Sequence, residues 1–196
     1  MIKVGVTGGI GSGKTLICRI FEKLGVPVFY ADAQAKWLYD HDPAVREALV
    51  SYFGEEIYDN NRLKRQVLAS KIFNDREALL KVNSIVHPAV RNSFLEWCQQ
   101  HSDHPYVIEE AAILFETGAY QDLDDIILVY APKELRIQRV VERDKSDEAS
   151  VRSRMSYQAD DAENISRAGF VIRNDGSALV IPQVLEIHNQ IMNKKS

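Results

Sequence analysis

Apolar and polar positions follow two rhythms along this chain. Ile2, Val4 and Val6 recur every second residue, the period of a half-buried strand, and the run breaks into glycines at Gly8, Gly9, Gly11 and Gly13. Behind them Leu16, Ile17, Ile20, Phe21 and Leu24 share one side of a predicted helix, which Gly25 and Pro27 close. Val28–Tyr30 predicts a second short strand, followed by a helix from Ala33 to Tyr39. From 40 to 101 the pattern reads as helical throughout. Within it Asp42-Pro43 forms a cap and first turn, Gly54 a stop, and Asp59-Asn60-Asn61 a turn. Asn74 with Glu77 forms a capping box, and His87-Pro88 a break between two helices.

The second half returns to short apolar runs. Tyr106–Ile108, Ile126–Tyr130 and Phe170–Ile172 predict the third, fourth and fifth strands, and the near-continuous second of these is the mark of a buried parallel strand. Pro132 opens a helix that ends in the polar break 144–147, and a second helix runs on to Tyr157-Gln158. Val180, Val184, Ile187, His188 and Ile191 space a final helix. Strands alternating with helices give an α/β protein built on a parallel sheet. Some sixty helical residues between the second and third strands far exceed a crossover, which needs about a dozen. The surplus is read as an inserted helical lobe with room for a second substrate, in which Tyr52, Phe53 and Phe73 are expected in the core.

The first strand and helix enclose the chemistry. Gly8, four residues, then Gly13-Lys14-Thr15 fit the phosphate-loop pattern G-x-x-x-x-G-K-[ST] in the strand–loop–helix context it requires. The glycines let successive N–H groups turn toward an anion, and the helix adds its positive end. The nucleotide-binding set is Gly9, Gly11, Ser12, Gly13, Lys14, Thr15 and Leu16. Lys14 reaches the β- and γ-phosphates of ATP, and the Thr15 hydroxyl ligates the Mg²⁺ that travels with it. Asp32 follows the second strand at the sheet edge where ligands bind, so position alone leaves it as a site residue or as a helix cap. Glu110 ends the third strand where a metal-side carboxylate sits in such folds. Arg136, Arg139 and Arg143 line one side of the helix after Pro132, with Arg152 and Arg154 on the next. They suit a phosphate-covering lid, and equally a wet hairpin neutralised by Glu142, Asp144, Asp147 and Glu148.

Composition narrows the classes. The 196 residues, 45% hydrophobic and 27% charged, suit one soluble domain with insertions, and a formal charge of −4 argues against nucleic acid or a membrane surface as partner. Cys18 and Cys98 lie in apolar helical patterns, as buried thiols of a reducing compartment do, and His101 and His104 share a polar stretch without ligand spacing. With the first strand opening at Ile2, no targeting segment is expected, and the cytoplasm is the expected location.

Taken together, these pieces resemble the dephospho-coenzyme A kinases over nearly the whole length. The matching residues are Thr7 to Lys14, Ala31-Asp32, Arg65 ahead of Leu68 and Phe73, His87-Pro88, Leu114-Phe115-Glu116, Arg139, Arg143-Asp144, Arg154 with Gln158, and Asn174-Asp175-Gly176. The resemblance implies a three-layer α/β/α P-loop NTPase of nucleoside-monophosphate-kinase type, with a five-stranded parallel sheet. Residues 1–31, 103–135 and 161–196 would be its core, 32–102 a helical acceptor lobe and 136–160 a lid. It implies transfer of the γ-phosphoryl of ATP to the ribose 3′-hydroxyl of dephospho-CoA, with Mg²⁺; the oligomeric state is left open, with a monomer favoured. It assigns catalysis to Lys14, Asp32 and Arg139, further ATP contacts to Arg139, Arg143, Asn174 and Gly176, and acceptor contacts to Asp32, Arg65, His87, Glu116 and Arg154. Tyr30, Ala112, Glu110, Asn164 and Ala168-Gly169 depart from the family pattern. The rivals are another small-molecule kinase of this architecture, acting on a nucleoside, nucleotide or sugar acid, and a non-catalytic nucleotide switch.

Overall fold

A computed structural model describes residues 1–73, 75–156 and 161–194 of the chain. In order it forms β1 (Ile2–Thr7), α1 (Lys14–Lys23), β2 (Val28–Tyr30), α2 (Ala31–His41), α3 (Pro43–Phe53), β3 (Tyr58–Asp59), β4 (Arg62–Leu63), α4 (Arg65–Ile72) and α5 (Arg76–Gln100). There follow β5 (Tyr106–Glu110), α6 (Leu114–Thr117), β6 (Asp125–Tyr130), α7 (Lys133–Asp144), α8 (Glu148–Met155), α9 (Asp161–Arg167), β7 (Phe170–Arg173) and α10 (Val180–Asn193). The chain divides into two compact units, Met1–Tyr30 with Cys98–Ser196, and Ala31–Trp97.

The first unit holds a five-stranded sheet in the order β2-β5-β1-β6-β7, every pairing parallel. The five expected strands form it, and β1 lies at its centre. One face is covered by α1 and α10: Val4, Val6, Ile108, Ile127, Val129 and Ile172 bury against Ile17, Phe21, Val184 and Ile187. On the other face Gly5 leaves room for Leu114 and Leu123. The parallel order follows from the helical crossovers, and the apolar strands from burial on both faces. Cys18 and Cys98 are buried free thiols. Among the described residues no helix is long and apolar enough to cross a membrane.

The second unit has its own core of Val45, Leu49, Phe53, Ile57, Leu68, Val82 and Val86. Asp42 caps α3 as expected, its carboxylate accepting from Ala44 N at 2.8 Å and Val45 N at 3.1 Å, and Gly54 ends it at φ 87°. The run is not helical throughout, because β3 and β4 pair as a hairpin across Asn60 and Asn61, at φ 46° and 66°. Two asparagines supply the left-handed turn such a hairpin needs. Nor does His87-Pro88 end a helix: α5 runs through, with Pro88 inside it. Losing one ladder bond costs about 3 kcal/mol. Against that, Val82, Ile85, Val86, Ala89 and Val90 keep an unbroken helical period on the buried side, and each fully buried aliphatic side chain is worth about 1.5–3 kcal/mol.

Two core expectations also fail. Phe53 is buried, but Tyr52 is 47% exposed and Phe73 75%. The buried stripe of α3 is Val45, Leu49 and Phe53, so Tyr52 falls one position off it, and Phe73 stands past the last turn of α4. At the start of α5, Asp75 accepts from Ala78 N at 2.9 Å. The capping residue expected at Asn74 and the helix end expected at Tyr157-Gln158 lie outside the described residues.

Candidate functional site

β1 delivers the chain from the middle of the sheet into the loop Gly8–Gly13, and α1 begins at Lys14. Gly11 and Gly13 take φ of 82° and 98°, where a side chain would strain the backbone. The loop is also hemmed in: a Cβ on Gly8 would lie 2.3 Å from the carbonyl oxygen of Val129, and one on Gly11 2.5 Å from that of Arg136. Inside it Ser12 N donates to Gly9 O at 3.0 Å. The N-cap of α1 is Gly13, which offers no side-chain cap, and the first turn carries no acidic residue. Its amides and helix dipole therefore face outward as an anion site.

Charge is concentrated at this loop. Lys14 Nζ donates to Gly8 O at 2.7 Å and stands 4.0 Å from Glu110 Oε1, both side chains being largely buried. Val6 pairs with Glu110 in register, so the carboxylate follows directly from β1 and β5 lying side by side. The adjacent Glu109 projects to the opposite face of the strand. Burial, and secondarily Asp122, push its carboxyl up to about 7 against the pull of Lys3. Behind the loop, burial and Glu110 raise the Cys18 thiol well above its usual range, which keeps it protonated and inert. Thr15 and Leu16 are exposed on the first turn of α1. Among the described residues no three His, Cys, Asp or Glu side chains converge as a metal group.

The arginines of α7 and α8 separate into two kinds. Arg143 is bound to Asp144 at 2.7 Å, Arg152 to Glu134 and Glu148 at 2.8 Å each, and Arg154 to Asp144 at 3.5 Å. These three are ion-paired to carboxylates of the same two helices and are largely exposed. Arg139 differs: its Nη1 is buried and has no hydrogen-bond partner among the described residues. Ile137, Val140, Val151 and Met155 form a small core between the two helices, with Ile10 of the glycine loop against it. On the other side Asn174 Nδ2 donates to Ser12 O at 2.8 Å, so Asn174 engages the loop backbone, while Gly176 lies in the turn beyond it at φ 86°.

Asp32 is not a helix cap. α2 already starts at Ala31, which puts Asp32 exposed in its first turn, two residues past the end of β2. Within the second unit Arg65 opens α4, with Nη2 3.6 Å from Asp40 and 3.5 Å from Lys36 O. His87 is half-buried on α5, and burial lowers its pKa. Glu116 is exposed on α6 in the first unit. Sequence reasoning grouped Arg136 with the lid arginines and gave it no place in the glycine loop, whereas it is 6% exposed on α7 and lies against Gly9. Its signal was present: an arginine next to Ile137 and one turn before Val140 falls on the buried side of the helix.

The family profile described as CoaE, dephospho-CoA kinase, matches residues 2–179. A dephospho-CoA kinase of Bacteroides fragilis is 39% identical over 186 residues, covering 95% of this chain and 91% of that protein. The crystal structure of TT1252 from Thermus thermophilus superposes with a TM-score of 0.85 at 32% identity, covering 96% of each chain. The dephospho-CoA kinase from Campylobacter jejuni gives 0.73 at 27% identity, covering 99% of this chain and 98% of its own.

Proposed function

The chain belongs to the dephospho-CoA kinase family, and on that premise we propose which of its residues carry the reaction. The reaction is the ATP-dependent phosphorylation of dephospho-CoA at the ribose 3′-hydroxyl, giving CoA and ADP, the last step of CoA formation. Phosphoryl transfer passes through a loose transition state, so the protein chiefly positions two anions and neutralises charge. Lys14 and amides of the segment Gly9–Leu16, apart from those of Ser12 and Leu16 that donate to Gly9 O and Gly13 O, hold the β- and γ-phosphates. Arg139 meets the transferring group, and its buried unpartnered Nη1 supports that role, since such a donor is costly until an anion completes it. Arg143, Asn174 and Gly176 border the nucleotide.

Asp32 orients the attacking hydroxyl and accepts its proton late. Its exposure in the first turn of α2, without a capping duty, supports this. Arg65, His87, Glu116 and Arg154 are the proposed acceptor contacts, and residues 32–102 and 136–160 the acceptor lobe and lid. Mg²⁺ is the proposed cofactor. The Thr15 hydroxyl and the Glu110 carboxylate are hard oxygen donors that would hold it. It would neutralise charge developing on the transferring phosphoryl group. The buried thiols support the cytoplasm as the compartment.

The observation that carries this reading is a phosphate loop with Lys14 and Glu110 at its rim in a chain of this family. The test is ADP release with and without dephospho-CoA. Release that rises only with the acceptor is expected, with a kcat loss of about 10²-fold or more in Asp32→Asn. No release with dephospho-CoA rejects the reading, and an unchanged kcat in Asp32→Asn rejects the role of that carboxylate.

A further inference from the structure

Arg136 is the feature that the reaction scheme above leaves unused. It is a charged residue 6% exposed, on the turn of α7 that lies against the glycine loop. A Cβ on Gly9 would come within 1.5 Å of its Nη1 and 2.6 Å of its Cζ. The guanidinium therefore fills the space that the missing side chain of Gly9 leaves open. The same residue meets the loop a second time through its backbone, because a Cβ on Gly11 would lie 2.5 Å from its carbonyl oxygen and 2.9 Å from Val140 Cγ2. Ile10, between the two glycines, packs on the cluster of Ile137, Val140, Val151 and Met155. Three successive loop residues are thus fitted against α7 and its neighbour α8, with the guanidinium of Arg136 against Gly9.

From this placement we propose that Arg136 is a further nucleotide-binding residue, a fixed cation of the cradle that contacts the β-phosphate of ATP and ADP. A guanidinium against the glycine loop stands beside the amides that receive the phosphates, and its planar fork matches phosphate oxygens. Its role differs from that of Arg139. Arg136 is built into the wall of the cradle, so its contact is made equally in the ground state and the transition state. Such an interaction sets nucleotide affinity and leaves the chemical step unchanged. The proposal rests on the loop being the ATP site, and its measurement is nucleotide binding, which needs neither an acceptor nor turnover.

The experiment is calorimetric titration of the full chain with ATP, ADP and AMP, for the parent protein, Arg136→Met and Arg136→Lys. In Arg136→Met, ATP and ADP binding is expected to weaken about tenfold or more, the size of one charge-assisted contact, with AMP unaffected. Arg136→Lys keeps the charge but loses the fork, and is expected to weaken ATP and ADP binding measurably less than Arg136→Met. With dephospho-CoA present, Arg136→Met raises KM for ATP at nearly constant kcat, whereas Arg139→Met lowers kcat. Nucleotide affinity within twofold of the parent in Arg136→Met overturns the proposal. So does equal weakening in the Met and Lys variants, which would mark a loop brace rather than a phosphate contact. Should Arg136→Met not fold, Arg136→Gln takes its place under the same criteria. A parent protein that binds no ATP refutes the nucleotide site itself, a different result from either.

Discussion

Replacing Glu109 with glutamine removes an ionisable carboxyl from inside the sheet while keeping its shape. Glu109 lies on β5 between Gly5 of β1 and Phe29 of β2 and is 5% exposed. Burial holds its pKa at about 7, with Asp122 adding to the rise and Lys3 opposing it; the Cys98 thiol, itself raised to about 11, is the other titratable neighbour. In the unfolded chain the same group ionises near its ordinary 4.5. Between those values the folded protein binds a proton that the unfolded chain has lost, so stability falls as pH rises. The loss begins near pH 4.5 and is complete above about pH 7, where it reaches about 3 kcal/mol at 1.36 kcal/mol per pH unit. For a chain of this size that is roughly 6–12 °C in Tm. Thermal unfolding of the parent and Glu109→Gln from pH 5 to 8 is the assay. The variant is expected to exceed the parent only slightly near pH 5, increasingly up to about pH 7, and by a constant margin from there to pH 8. Parallel curves across the range would show that the carboxyl ionises at its ordinary pH in the fold, and would refute the reasoning.

Three other outcomes follow from particular contacts. Lys14→Ala removes the buried ammonium bonded to Gly8 O; turnover should fall by about 10²–10³-fold or more with circular dichroism unchanged, and near-parent turnover would exclude Lys14 from the phosphate site. Pro88→Ala returns an N–H to the interior of α5 and should raise stability in urea unfolding by about 1–3 kcal/mol, whereas a loss would show that the helix depends on the proline. Arg167 lies with its guanidinium 4.4 Å from the Phe115 ring centre and 4.6 Å from that of Tyr120, so Arg167→Ala should cost about 1–2 kcal/mol and Arg167→Lys less; equal losses in the two would place the effect in packing alone.

What could be read from the sequence was set by what acts locally. The phosphate loop, its strand and its helix were legible because glycine conformations and apolar periods are properties of neighbouring residues. The cap at Asp42 was legible for the same reason. Pro88 was misjudged because a local penalty was weighed without the burial on either side of it. Tyr52 and Phe73 were misplaced because an aromatic residue type does not say which side of a helix it stands on. Arg136 was legible as one of the lid arginines but not as a wall of the glycine loop, because its position against Gly9 depends on α7 meeting a loop more than a hundred residues earlier. Neutralisation by Asp144 and Glu148 was legible from their nearness in sequence, but the pairing with Glu134 and the burial of Arg139 Nη1 were hidden, since both depend on how the two helices pack.

The place of β1 at the centre of the sheet has a consequence for synthesis. A ribosome releases this strand first, yet the strands on either side of it begin at Tyr106 and Asp125, and the asparagine that grips Ser12 is 162 positions away from it. Closing loops of that length precedes any reward from the contacts they make. The nascent chain therefore offers no finished purse for a nucleotide until Asn174 has emerged and β7 has docked. ATP rewards only the completed protein, and cannot help it to get there.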